Sequence, residues 1–229
     1  MNAEVNYNIQ DANALDGTIG VNEAALAAKG FPSENRTELQ DKTSVLTNNE
    51  NNLTAKEKKA EDLTAEQNEC ISGTQSLISK VRNAASSVYV GNARVLKLFN
   101  VGINKKIPRS INSLRIECEY LIPIVAERKA DLLKGGLQEA DITALNEAPA
   151  KLIDVDKRQE NAKKERNQAT IERDEADKGL KKIKTKIRKF AATAFAGNKA
   201  MLVQFEPIPK GRGGSNDDKG GTTPPPPAQ

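Results

Sequence analysis

Between residues 145 and 190, apolar and small side chains recur in alternate steps of three and four. The series runs Leu145, Ala148, Leu152, Val155, Gln159, Ala162, Arg166, Ala169, Arg173, Ala176, Leu180, Ile183, Ile187 and Phe190. That is heptad spacing, which lines the series up on one stripe of a long helix. A looser version passes through Leu39, Leu46, Leu53, Ala60, Leu63, Cys70, Leu77, Val81 and Ala84. Acid-first pairs such as Asp154–Arg158, Glu160–Lys164 and Asp174–Lys178 have the favourable i, i+4 order on the outward face. The pattern predicts two long helices, closing near residues 90 and 196 and each reaching roughly 80 Å at 1.5 Å per residue. Their middles are expected to be free of proline as well as glycine until Gly73 and Gly179. Thr37-Glu-Leu-Gln40 offers a capping box for the start of the first. A shorter helical segment precedes each long one. The short segments end in A-A-K-G-F (27–31) and L-K-G-G-L (133–137), where a cation ahead of Gly30 or Gly136 predicts a left-handed C-cap.

The same punctuation is written twice at a fixed offset. Shifting the chain by 106 positions lays Gly91-Asn92 on Gly197-Asn198, Gly30 on Gly136, Leu39 on Leu145, Leu46 on Leu152 and Phe99 on Phe205, without a gap. Gly17 meets Pro123, so a helix-disturbing residue falls at one point in both halves. These matches predict an internal tandem duplication, with helical repeats over residues 1–106 and 107–210. The expected fold is all-α: an elongated antiparallel helical bundle, each repeat contributing a short and a long helix, with the long helices related by a pseudo-twofold axis; a staggered rod with parallel long helices is the alternative. Gly91 and Gly197 are expected just past the long helices, and Phe99 and Phe205 as buried clasps behind them. After Pro209 the chain becomes Gly-rich and ends in P-P-P-P-A-Q, so residues 211–229 are expected to form a disordered, flexible tail.

Composition narrows the chemistry. Aromatic residues make up 3% of the chain and tryptophan is absent, which suits thin Leu/Ile/Val/Ala packing rather than a thick core. Histidine is absent, removing Ser-His-Asp and Cys-His catalysis and the Glu-x-x-His di-iron motif. Cys70 lies on the apolar seam, where an inert thiol is the ordinary outcome. Cys118 is flanked by Glu117 and Glu119, which oppose thiolate formation. No phosphate-binding glycine loop and no metal-ligand spacing occurs. The sequence therefore predicts no enzyme, no catalytic residue, no metal and no cofactor. The N-terminus lacks a signal-peptide pattern and no segment is apolar enough to span a bilayer, so a cytoplasmic protein is expected.

Charge supplies the remaining candidate. The formal net charge of +4 conceals a balance of 6 basic to 13 acidic residues over 1–70 and 14 to 8 over 151–190. The densest run, K-K-I-K-T-K-I-R-K-F (181–190), offers Lys181, Lys182, Lys184, Lys186, Arg188 and Lys189 as an anion or partner contact. Nucleic acid is one partner such a face would suit, but no aromatics interleave to stack bases. Two plainer readings are favoured: a solvated face whose Lys and Arg stems shield the apolar seam, or neutralisation of an acidic N-terminal region of this chain or of a neighbouring molecule. The function expected is a non-enzymatic structural or interaction protein, a rigid helical scaffold that spaces protein partners or forms a homo-oligomer. Recruitment through the tail is an alternative.

Overall fold

The computed structural model describes residues 2–103 and 106–210. The expected tail at 211–229 lies outside them. The described chain is helical, in the order α1 (Ala3–Val21), α2 (Glu23–Ala27), α3 (Glu34–Val88), α4 (Ala93–Leu98), α5 (Ile111–Glu127), α6 (Lys129–Lys134), α7 (Glu139–Ala194) and α8 (Lys199–Gln204). Long helices pack together, and no strand occurs among the described residues. No helix there is long and apolar enough to cross a membrane.

The residues group into two compact units, named here for their place in the sequence. A central unit comprises residues 45–176, and a terminal unit comprises 2–44 with 177–210. In the central unit, α5 turns one face inward through Leu114, Glu117, Cys118, Leu121 and Val125. It meets Ile78, Val81, Ala84 and Ala85 of α3 and Ile142, Leu145, Ala148 and Leu152 of α7, with Leu132, Leu137 and Phe99 closing the core. In the terminal unit, α1 presents Val5, Asn8, Asp11, Ala12, Leu15 and Ile19, again at helical spacing. Leu26, Leu39, Leu180, Ile183, Ile187, Ala191 and Phe205 are buried with them.

Within each unit α3 and α7 run antiparallel, because rising numbers on one meet falling numbers on the other. Central contacts are Glu50–Arg173, Lys56–Glu165 and Glu66–Arg158. Terminal ones are Glu38–Lys186 and Lys42–Gly179.

Local chemistry sets the helix ends. The glycines Gly30 and Gly136 sit at φ +78° and +95°, and the N–H groups of Phe31 and Leu137 reach back to the carbonyls of Leu26 and Leu132. Each is a Schellman closure, in which glycine accepts the left-handed backbone that a Cβ resists. Gly91 and Gly197 lie three residues beyond α3 and α7, at φ +82° and +88°. Asn92 and Asn198 then cap α4 and α8 by accepting from the N–H of Val95 and Met201, both at 3.2 Å. Phe99 and Phe205 are buried, stacked on Tyr89 and Phe195 with ring centroids 6.2 Å and 5.9 Å apart.

Three expectations need correction. First, α3 starts at Glu34, and the N–H groups of Arg36 and Thr37 bond to the Ser33 carbonyl. Thr37-Glu-Leu-Gln40 is therefore helix interior, and Pro32-Ser33 supplies the start. Second, α7 contains Pro149, which withdraws one backbone donor without ending the helix. Third, the seam is not a strict heptad. Arg166 is exposed, and beyond Leu180 the buried row passes through Ile183, Ile187, Ala191 and Phe195, leaving Phe190 half-buried. In α3 the row passes through Thr74, Ile78, Val81 and Ala85 rather than Cys70 and Leu77, which are half-buried. A 3.6-residue helix drifts against a 3.5-residue repeat, and extra helices packed on these stretches let the drift proceed.

Gly135 answers to packing rather than to backbone conformation. A Cβ there would stand 2.5 Å from Val88 Cγ2 and 2.6 Å from the Ala84 carbonyl oxygen. Gly73, inside α3, faces open space. Gly135→Ala is expected to destabilise the protein by about 1–3 kcal/mol through overpacking. Gly73→Ala is expected to stabilise it by about 0.5–1 kcal/mol, the helix-interior cost of glycine. Thermal unfolding followed by circular dichroism separates the two, and equal midpoints would contradict the packing described.

Candidate functional site

The basic run 181–190 lies on α7 in the terminal unit, and its six cations separate into two groups. Lys184 is turned inward, 4% exposed, and its ammonium lies 2.9 Å from the Asp11 carboxylate. It also donates to Asn8 Oδ1 at 3.0 Å and to the Asn8 carbonyl at 3.2 Å. Arg188 takes the same carboxylate in a two-pronged grip, with Nη1 3.0 Å from Oδ2 and Nη2 2.8 Å from Oδ1. Its Nε donates to the Phe205 carbonyl at 2.8 Å. Lys181 bridges Asp177 and Glu4, at 2.7 Å to each. Lys182, Lys186 and Lys189 point to solvent, and Lys186 reaches Glu38 only at 4.0 Å. The run thus brings three cations together around acids of the N-terminal segment and leaves three outside.

Asp11 is the hub. Its carboxylate is 2% exposed and accepts from Arg188, Lys184 and the backbone N–H of Ile208, the last at 3.0 Å. Burial pushes its carboxyl upward, but the hydrogen bonds from Arg188, Lys184 and Ile208 outweigh this and hold it below the ordinary aspartate value. Lys184 is held below the ordinary lysine value, chiefly by burial, with Asp11 opposing and Arg188 adding to the depression. The directions agree physically, because two cations share one buried carboxylate. Asn8 extends the cluster by donating to Asp177 at 2.7 Å.

The central unit carries a simpler version. Buried Glu117 on α5 accepts from Arg82 of α3 at 2.9 Å and from Asn100 at 2.7 Å. Glu117 is 106 positions after Asp11, and Arg188 is 106 after Arg82. Ile78 stands 106 positions before Lys184, so at that offset the terminal unit has a cation where the central unit has an apolar residue. Sequence reading singles out the cations but passes over Asp11, Asn8 and Glu117. The signal was available: all three stand where the buried stripes of α1 and α5 call for an apolar residue.

The chemistry within reach of this cluster is electrostatic clamping. The Asp11 contacts are made by cations and a backbone donor of the chain itself. Beside it, Ala3, Glu4, Tyr7, Gln10, Ile208 and Lys210 line an open cleft of about 440 Å³. The Tyr7 hydroxyl donates to the Ile208 carbonyl, and the ammonium groups of Lys210 and Lys184 lie 5.2 and 5.9 Å from its ring centre. No group of three or more Cys, Asp or Glu side chains is placed to hold a metal ion among the described residues. Both thiols are held in the neutral form. Burial pushes Cys118 up to about 11, with Glu117 and Glu119 adding to it, and burial also raises half-buried Cys70. Compared with family models, curated proteins and solved structures, the chain matches none of them.

Removing the hub strands two cations, so Asp11→Ala is expected to cost about 3–5 kcal/mol. Lys184→Met leaves Arg188 to satisfy Asp11 but takes the donor from buried Asn8 Oδ1, so it is expected to cost less, about 1–3 kcal/mol. Urea unfolding of both variants tests this, and comparable losses would contradict a hub at Asp11. The carboxyl of Asp11 is held lower in the folded state than in the unfolded one. Its contribution is therefore complete above about pH 4 and is lost as pH falls through the folded-state value. Acid unfolding of the wild type should accordingly be steeper below pH 4 than that of Asp11→Asn.

Proposed function

We propose that this protein is a non-enzymatic helical scaffold, built by tandem duplication, that associates with a second copy of itself. The recurrence of elements at one offset supports the duplication. Ala93 and Lys199, which open α4 and α8, stand 106 positions apart, as do the Tyr89/Phe99 and Phe195/Phe205 stacks and the Glu117/Arg82 and Asp11/Arg188 clamps. A scaffolding role is supported by how the buried charges are used, since the deepest of them join helices to one another.

The observation that carries self-association is the stretch of the central unit where α3 and α7 pair in a narrow seam. Between residues 46 and 70, the buried residues of α3 are Leu46, Glu50, Leu53 and Ala60 alone. Opposite them, α7 buries Val155, Gln159, Ala162 and Ala169. Over this seam lies a groove of about 460 Å³, lined by buried Ala60 and Gln159 and by exposed Thr64 and Ala65. Gln159 is 4% exposed, and its side-chain oxygen has no hydrogen-bond partner. Leaving a buried amide oxygen unmet costs about 1–3 kcal/mol, which a donor from a docked helix would recover.

The rims favour a second copy as that occupant. Glu57 and Glu61 of α3 edge one side, and Lys163 and Arg166 of α7 edge the other. In a twofold pair that sets α3 against the partner's α7, each acidic rim meets a basic one. Small lining residues let helices approach closely, and a polar seam residue fixes register at some cost in stability.

Light scattering coupled to size exclusion is expected to show a dimer at micromolar concentration. Ala65→Glu, in the groove, should return a folded monomer with an unchanged circular dichroism spectrum. A wild type that stays monomeric at the highest attainable concentration would remove self-association from the proposal.

A further inference from the structure

A second charged stretch belongs to the central unit and is separate in sequence from the run at 181–190. Between Glu69 and Glu117 the sequence carries eight cations and no acid. Three of the eight are used internally: Lys80 with Asp141, Arg82 with Glu117 and Arg115 with Glu119. Arg94, Lys97, Lys106 and Arg109 are exposed, and no acidic side chain pairs with any of them among the described residues. All four belong to α4 and the strap that joins it to α5.

The strap is fastened at several points. Phe99 stacks on Tyr89, and Asn100, at φ +56°, donates to buried Glu117. Further on, Gln75 donates to the Pro108 carbonyl at 2.7 Å. The described backbone on either side of residues 104–105 is thus anchored to the core. Aliphatic side chains are exposed among the cations: Val90 at 81%, Ile103 at 40% and Leu98 at 37%. The clasp itself does not need this charge. Around the equivalent Phe195–Phe205 stack, Arg94 is replaced by Ala200 and Lys97 by Val203.

From these features we infer that α4 and the strap, through Arg94, Lys97, Lys106 and Arg109 with Leu98 and Ile103, dock on an anionic lipid surface. Unpaired cations meet lipid phosphates and carboxylates, while short aliphatic side chains enter the boundary between headgroups and acyl chains. A nucleic-acid partner would use the same cations but gain nothing from exposed Leu98 and Ile103, and the surface offers no exposed aromatic to stack a base. This inference does not rest on self-association, since its residues are distinct from the groove over Ala60 and Gln159.

The test is co-sedimentation of the full chain with vesicles of phosphatidylcholine alone and of phosphatidylcholine mixed with phosphatidylserine, beside a duplex DNA fragment. Binding is expected to the mixed vesicles only, and to fall as salt is raised. Each of Arg94→Gln and Lys97→Gln should weaken it about five-fold, the worth of one cation near a charged bilayer. Lys182→Gln with Lys189→Gln, on the other basic run, should leave it unchanged. Leu98→Ser with Ile103→Ser should weaken vesicle binding too, and circular dichroism confirms that each variant folds. The inference is overturned if the mixed vesicles do not bind at low salt. It is equally overturned if the Leu98/Ile103 variant binds them like wild type, or if DNA binds more tightly than the vesicles.

Discussion

A carboxylate on a short helix, buried and gripped by an arginine from the far end of a long one, holds each unit together. Asp11–Arg188 and Glu117–Arg82 do this work in regions almost free of water, where an ion pair missing one member is expensive. The guanidinium is suited to the task because it meets a carboxylate with two parallel donors and still has a nitrogen to spare. Arg188 spends that nitrogen on the Phe205 carbonyl, and Asp11 uses a remaining lone pair on the Ile208 N–H. One ionic contact thereby fixes α1, α7 and the segment after α8 together.

The two units solve the same problem with different amounts of charge. In the central unit Asn100 completes the shell of Glu117, and Ile78 packs where the terminal unit has Lys184. In the terminal unit Lys184 brings a second positive charge inside, and Asn8 and Asp177 absorb its consequences. Hydrophobic burial alone is modest here because aromatics are few. Phe99 and Phe205 matter accordingly, each worth about 1.5–3 kcal/mol when buried.

Much of the fold was legible in the residues. Helical periodicity gave α7 from its apolar row, and cation–glycine pairs marked the closures at Gly30 and Gly136. Gly91 and Gly197 were placed by their matching position, and the structure puts both in the left-handed region beyond a long helix. The start of α3 was missed because Thr37–Gln40 imitates a capping box four residues inside the helix. The seam was misdrawn at Leu77 and Phe190 because a strict heptad suits a two-helix contact, whereas three helices bury a broader stripe. The candidate cations were harder still. A run of lysines reads as one face, but helical geometry points Lys184 inward and Lys182 outward, and only the location of Asp11 decides which cations are consumed. The acid-free interval around α4 is equally visible in the sequence, but it lies between the acidic stretch 1–70 and the basic stretch 151–190 that dominate the charge pattern.

The division of the chain into units also has a temporal side. The central unit is continuous, residues 45–176, whereas the terminal unit joins residues 2–44 to 177–210. During synthesis every partner needed by the central unit has emerged once residue 176 is out. The terminal unit must wait longer, because the ligands of Asp11 are Lys184, Arg188 and the N–H of Ile208. Until those arrive, the face that α1 will bury holds an aspartate without its folded-state partners. Residues 2–44 are thus made before the residues that complete their core, and Asp11 is locked only when Lys184, Arg188 and Ile208 have joined it.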